Sequence, residues 1–89
     1  MSILVIGGDR LGNIDKNLKG IGFNRIEHVD GRKKRHYNVN ISQGTDVVLV
    51  LTDYVNHNLC KSIKEKAKGL GVKTVFSRRA WSDIATAIN

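Results

Sequence analysis

The chain has 89 residues, 40% of them hydrophobic, and 15 Lys and Arg against 8 Asp and Glu leave a net charge of +7. A chain this short buries only about 60–65% of its unfolded surface, so one domain over residues 1–89 is expected, with no room for a separate substrate domain. The apolar content argues against disorder, and no apolar run nears the roughly 18 residues needed to span a bilayer.

The opening "SILVI", residues 2–6, is a continuous apolar run ended by glycines, as a buried parallel strand should be. It is too short, and lacks the cationic flank, to read as a signal peptide. Asp9 is placed to cap a helix in which Leu11, Ile14 and Leu18 recur at helical spacing, with Gly20 and Gly22 as the stop. "FNRIEHV", residues 23–29, alternates like a half-covered strand and runs into Asp30-Gly31. Within residues 33–43, Tyr37 and Ile41 suggest a short helix. "DVVLVL", 46–51, reads as the central strand, with Val48 and Val50 at its heart. A helix from 55 to 68 follows, with Val55, Leu59, Ile63 and Ala67 as its buried stripe and Gly69 and Gly71 as its stop. "VKTVF", 72–76, is the fourth strand, and Trp81, Ile84, Ala85 and Ile88 mark a last amphipathic helix.

Strand followed by helix, four times over, implies right-handed crossovers and a parallel sheet. The expected fold is a small α/β domain of three layers, Rossmann-like or flavodoxin-like. Its four-stranded parallel sheet is ordered 2-1-3-4, with helices on both faces. In such a sheet the carboxyl ends of all strands share one edge, where ligands bind. That rim collects Gly7, Gly8, Asp9 and Arg10 after strand one, and His28, Asp30, Gly31 and Arg32 after strand two. Strand three adds Thr52, Asp53, Tyr54, Asn56 and His57, and strand four adds Ser77, Arg78 and Arg79.

The turn "VIGGDRLGNI", residues 5–14, invites comparison with phosphate-binding loops. A dinucleotide fingerprint counted from Gly7 has its first and sixth glycines, Gly7 and Gly12, but Asp9 at the third. A nucleotide-hydrolase loop fails as well, because Asn13 and Ile14 stand where Lys and Ser or Thr belong. Backbone amides of Gly7 and Gly8 remain suited to a smaller anion. "RKKRH", residues 32–36, carries four consecutive cations that would grip a nucleic-acid backbone, or would simply be solvated. Arg32, Arg78 and Arg79 would instead converge on one compact anion through guanidinium forks. His57 and Cys60 make one H-x-x-C pair, which is not by itself a zinc site; His28 could join it in space, and haem needs only one or two axial groups. No carboxylate pair and no nucleophile with its base can be assigned, so no catalytic residue is named.

Taken together, "VIGG" at 5–8, "HVDGR" at 28–32, "TDYVNHN" at 52–58 and "GVKTVFSRRAWSDI" at 71–84 resemble an uncharacterised bacterial family, the domain of unknown function numbered 2325. The resemblance covers essentially the whole chain and implies a Rossmann-like domain. It brings no reaction with it. That family commonly has serine where this chain has Asn56, and the basic run after Arg32 is a local elaboration.

The functional expectation is a binding domain rather than an enzyme, for a small phosphate- or nucleotide-bearing anion, acting as a sensor or sequestering protein. Gly7, Gly8, Arg10, Arg32, Arg78 and Arg79 would hold the charge. Asp9, Asp30, Thr52, Asp53, Asn56, His57 and Ser77 complete the candidate site, with Asp30, Asp53, Asn56 and His57 selecting hydroxyls or base edges. The alternatives are nucleic-acid binding through the same basic rim, and haem or metal binding through His57, His28 or Cys60. No particular cofactor is indicated. With a lone cysteine and no membrane partner, the chain is expected in the cytoplasm, as a homodimer or larger assembly.

Overall fold

The computed structural model describes residues 1–30 and 39–88. Its elements in chain order are β1 (Ser2–Ile6), α1 (Asn13–Gly20), β2 (Arg25–Val29), β3 (Val47–Leu51), a 3-10 turn (Thr52–Tyr54), α2 (His57–Leu70), β4 (Lys73–Ser77) and α3 (Trp81–Ile88). The four strands form one sheet ordered β2-β1-β3-β4, and every pairing is parallel. This is the α/β architecture that the strand–helix alternation predicts. One helix of that alternation is not found among the described residues. Between β2 and β3 the described residues 39–46 form no α-helix, and the remainder of the expected 33–43 segment, Tyr37 included, lies outside the described residues.

The period-2 geometry of each strand divides the core between the two faces. Ile3 and Val5 of β1, Val47, Leu49 and Leu51 of β3 and Val75 of β4 pack with Ile14 and Leu18 of α1 and Ile84 of α3. The intervening residues Leu4, Ile6, Val48 and Val50 meet Leu59 and Ile63 of α2, with Val39 closing the layer. Every residue of β3 is buried, as a strand flanked on both edges and covered on both faces must be. Two bonds clamp the amino edge: the Ser2 amide donates to the Asp46 carboxylate at 2.7 Å, and the Asp46 amide donates to the Ser2 carbonyl at 2.9 Å.

The helices depart from the sequence reading at their ends. Asp9 does not cap α1: the N-cap is Gly12, with φ 54° and no side-chain cap, and the helix begins only at Asn13. The chain needs residues 7–12 as a loop to turn from the strand, so Leu11 reaches the core from ahead of the helix rather than from within it. α2 begins two residues later than expected, at His57, because Asn56 ends the extended stretch and accepts the Leu59 amide at 2.8 Å. Val55 therefore packs against the core from outside the helix. α2 also continues through Gly69 to Leu70. It stops at Gly71, whose φ of 71° lets its amide reach Lys68 and the Val72 amide reach Ala67, the paired bonds of a Schellman motif.

Candidate functional site

Because all strands run the same way, their carboxyl ends deliver the loops at 7–12, 52–56 and 78–80 to one edge of the sheet, with Asp30 after β2 beside them. The loop after β1 is built on glycine. Gly7 has φ 118°, and a Cβ there would stand 2.9 Å from Val55 Cγ2 and 3.1 Å from both Leu51 Cβ and the Leu51 carbonyl oxygen. Only a residue without a side chain lets the loop cross the end of β3 this closely. Gly8 and Gly12 also have positive φ, which turns the loop back toward α1.

Two side chains hold this loop from opposite sides. His28 of β2 donates from Nε2 to the Gly7 carbonyl at 2.9 Å, since the carbonyl oxygen can only accept. Arg79, between β4 and α3, donates from Nη2 to the Arg10 carbonyl at 2.8 Å and reaches the Leu11 carbonyl at 3.5 Å. Its guanidinium lies against the loop, with Nη2 3.7 Å from where a Cβ on Gly12 would be. Arg79 is itself aimed by Asp53, whose two carboxylate oxygens accept the Arg79 amide at 3.1 and 3.3 Å. Thr52 donates to the Ser77 carbonyl at 3.3 Å, and the hydroxyl of the buried Ser77 donates to the Arg78 carbonyl at 2.9 Å.

Gly8, Asp9, Arg10 and Arg79 come together with Tyr54 around an open depression of about 320 Å3. Tyr54 falls on the rim by sequence without a role; folded, it stands over the glycine loop with 46% of its surface exposed. The signal was its position directly after Thr52-Asp53 at the end of the central strand. The remaining candidates divide by what their side chains touch. Thr52, Asp53, Asn56 and Ser77 make the bonds that brace the rim, Arg78 is exposed, and Asp30 is half-buried. Arg32 and the cations that follow it lie outside the described residues.

His57 and Cys60 border a different depression of about 430 Å3, shared with Lys61, Lys64 and Phe76. His28, on β2, is bonded to the Gly7 carbonyl instead, so the three candidate metal ligands do not form one cluster. Among the described residues no group of three His, Cys, Asp or Glu is placed to hold a metal ion. Burial pushes the Cys60 thiol pKa up, only partly offset by a backbone hydrogen bond. A larger depression, about 570 Å3, lies at the amino edge between residues 41–45 and 70–72, and no described candidate residue lines it. Among the described residues its lining is Ser, Gln, Gly, Thr and aliphatic groups, without a charge to anchor an anion.

Among the described residues no helix is long and apolar enough to cross a membrane. No curated protein and no solved structure matches the chain. A family model does, over residues 2–89, and its description is "Uncharacterized protein conserved in bacteria (DUF2325)". The match takes in all four strands, the glycine loop and its Arg79 brace, and the chain belongs to this bacterial family.

Proposed function

We infer that the protein is a binding domain for a small phosphate-bearing anion with a planar group, such as a nucleotide, held at the carboxyl rim of the sheet. One observation carries the reading: the glycine loop, two arginines and an aromatic ring border the same depression. The Gly8 region offers backbone without side-chain obstruction, which suits close approach of a phosphate. Arg10 contributes a guanidinium, and Arg79, tied to the loop by Nη2, has further N–H groups left to donate. Tyr54 supplies an apolar face for a ring. Asp9 borders the same space, opposing a bare phosphate while accepting from a ligand hydroxyl. That combination favours a ligand carrying phosphate and hydroxyls over inorganic phosphate alone.

Titration calorimetry of the 89-residue chain against inorganic phosphate, nucleoside monophosphates and nucleoside diphosphates tests the reading. Saturable binding of a nucleotide, weakened about tenfold or more by Arg10→Ala, is expected. Heats that stay at the dilution level for every phosphate compound, or binding indifferent to Arg10 and Tyr54, would reject it. Self-association belongs to the same proposal, because Ile21 and Leu70 are each more than half exposed on so small a domain. A monomer by light scattering at about 50 μM would remove that part. The unpaired Cys60 suits a reducing compartment such as the cytoplasm.

A further inference from the structure

The groove between α2 and β4 lies outside the rim site and calls for its own account. Along α2, His57, Lys61, Lys64 and Lys68 recur at i, i+4, i+7 and i+11, so they line one side of the helix. All four are exposed, and among the described residues none of the lysines forms an ion pair. Glu65 is the one acid on this helix, and it sits a turn away from Lys61 and Lys68 without bonding to either. Beside the stripe lies Phe76, 39% exposed on β4, the edge strand of the sheet. It belongs to the β4 face that α2 covers, and it lines the depression of about 430 Å3 with His57, Cys60, Lys61 and Lys64.

A solvated basic helix needs no aromatic beside it, and an edge phenylalanine kept for packing needs no cations. The two together match a ligand with regularly spaced negative charges and flat apolar faces. We propose that this groove binds single-stranded nucleic acid, with the lysines of α2 meeting successive phosphates and Phe76 stacking on a base. Stacking on an aromatic side chain next to a cationic track is how sequence-tolerant single-strand binding works. The depression is open, and Lys68 continues the line of cations one turn beyond it on the same side of the helix, which suits a strand better than an enclosed mononucleotide. The proposal does not depend on the rim reading, because it uses none of the rim arginines or glycines.

The test is fluorescence anisotropy of the full chain with a labelled oligothymidine strand of about twenty nucleotides, repeated across salt concentrations and with an unlabelled duplex as competitor. The affinity should fall with salt at a log–log slope near 2, as about three phosphate contacts to a single strand require. Phe76→Ala should weaken binding about tenfold, and Phe76→Trp should keep it. Lys64→Ala should weaken it several-fold, while Lys16→Ala, which removes the same charge from α1 on the other side of the sheet, should change little. Equal losses at Lys16 and Lys64 with no response to Phe76 would mean attraction by net charge alone, and would overturn the proposal. So would a Phe76→Ala protein that turns from dimer to monomer while holding the oligonucleotide as before, or one that loses anionic vesicles rather than the strand. Failure here leaves the Arg10 titration unaffected, so the two readings can fall separately.

Discussion

The Arg79 guanidinium donates to the carbonyl of Arg10 at 2.8 Å, joining residues 69 apart in the chain across the carboxyl edge of the sheet. The last loop of the fold thereby holds the first. Asp53, at the end of the central strand, sets the position of Arg79 by accepting its amide. Three loops thus share one connected set of hydrogen bonds. Arg79→Ala should cost about 1 kcal/mol, below the usual value for a charged hydrogen bond because the contact is solvent-accessible. Arg78→Ala should stay within about 0.5 kcal/mol. Urea denaturation of both variants checks this, and amide exchange in residues 8–12 should quicken only for the first.

Gly7 should be the least replaceable glycine among the described residues. Its φ of 118° strains any other residue, and the new methyl would meet Val55 Cγ2 at 2.9 Å. Strain and overpacking each contribute about 1–3 kcal/mol, so Gly7→Ala should cost about 3 kcal/mol in all. Gly22 has nearly the same φ, 113°, but open space around it, so Gly22→Ala should lose only the strain part, about 1 kcal/mol. Thermal unfolding of the two variants separates crowding from conformation.

Asn56 should matter to stability through the helix it starts. Asn56→Ala removes the acceptor for the Leu59 amide and should cost about 1 kcal/mol, a fall in Tm of about 4–8 °C. Asn56→Ser should restore most of it, since a serine hydroxyl can accept the same amide. Calorimetric scans of wild type, Ala and Ser give the order.

The Cys60 thiol should react slowly at neutral pH. Burial disfavours its thiolate, so the fraction ionised at pH 7 is lower than for a free cysteine. Alkylation by iodoacetamide should be slower than for a small-molecule thiol, and the rate should still be climbing at the pH where the free thiol has levelled off. The same shift makes the folded state hold its proton longer than the unfolded state, so this group's contribution to stability is lost as pH rises through the thiol range. A rate equal to that of the free thiol at each pH would contradict the burial of this side chain.

The elements of the fold were legible in the sequence because they rest on local pattern. Unbroken apolar runs at 3–6 and 47–51 demand burial on both faces, and Leu59, Ile63 and Ala67 at helical spacing demand one face. Glycine at 71 had a local cause too, since only a left-handed residue ends α2 as observed. With crossover handedness added, these patterns point to a parallel sheet. Its order, 2-1-3-4, is expected from Rossmann- or flavodoxin-like winding and is the order the sheet has. The start of α1 was misread because Asp9 has the chemistry of a cap, while the need for a six-residue loop comes from Gly7 crossing Leu51, 44 positions away.

The use of the rim residues was decided only by tertiary structure. As letters, His28, Asp53 and Arg79 are equally good ligands for a small molecule. Folded, His28 meets Gly7, Asp53 meets the Arg79 amide, and Arg79 meets Arg10, over separations of 21, 26 and 69 residues. Periodicity states which side of an element is apolar; it carries nothing about which polar group faces which across a sheet. Tyr54 and Phe76 show the same limit. A local pattern cannot tell an aromatic that fills the core from one left exposed beside cations, because that depends on what other elements cover. In this chain the glycine loop leaves Tyr54 open, and the edge position of β4 leaves Phe76 open.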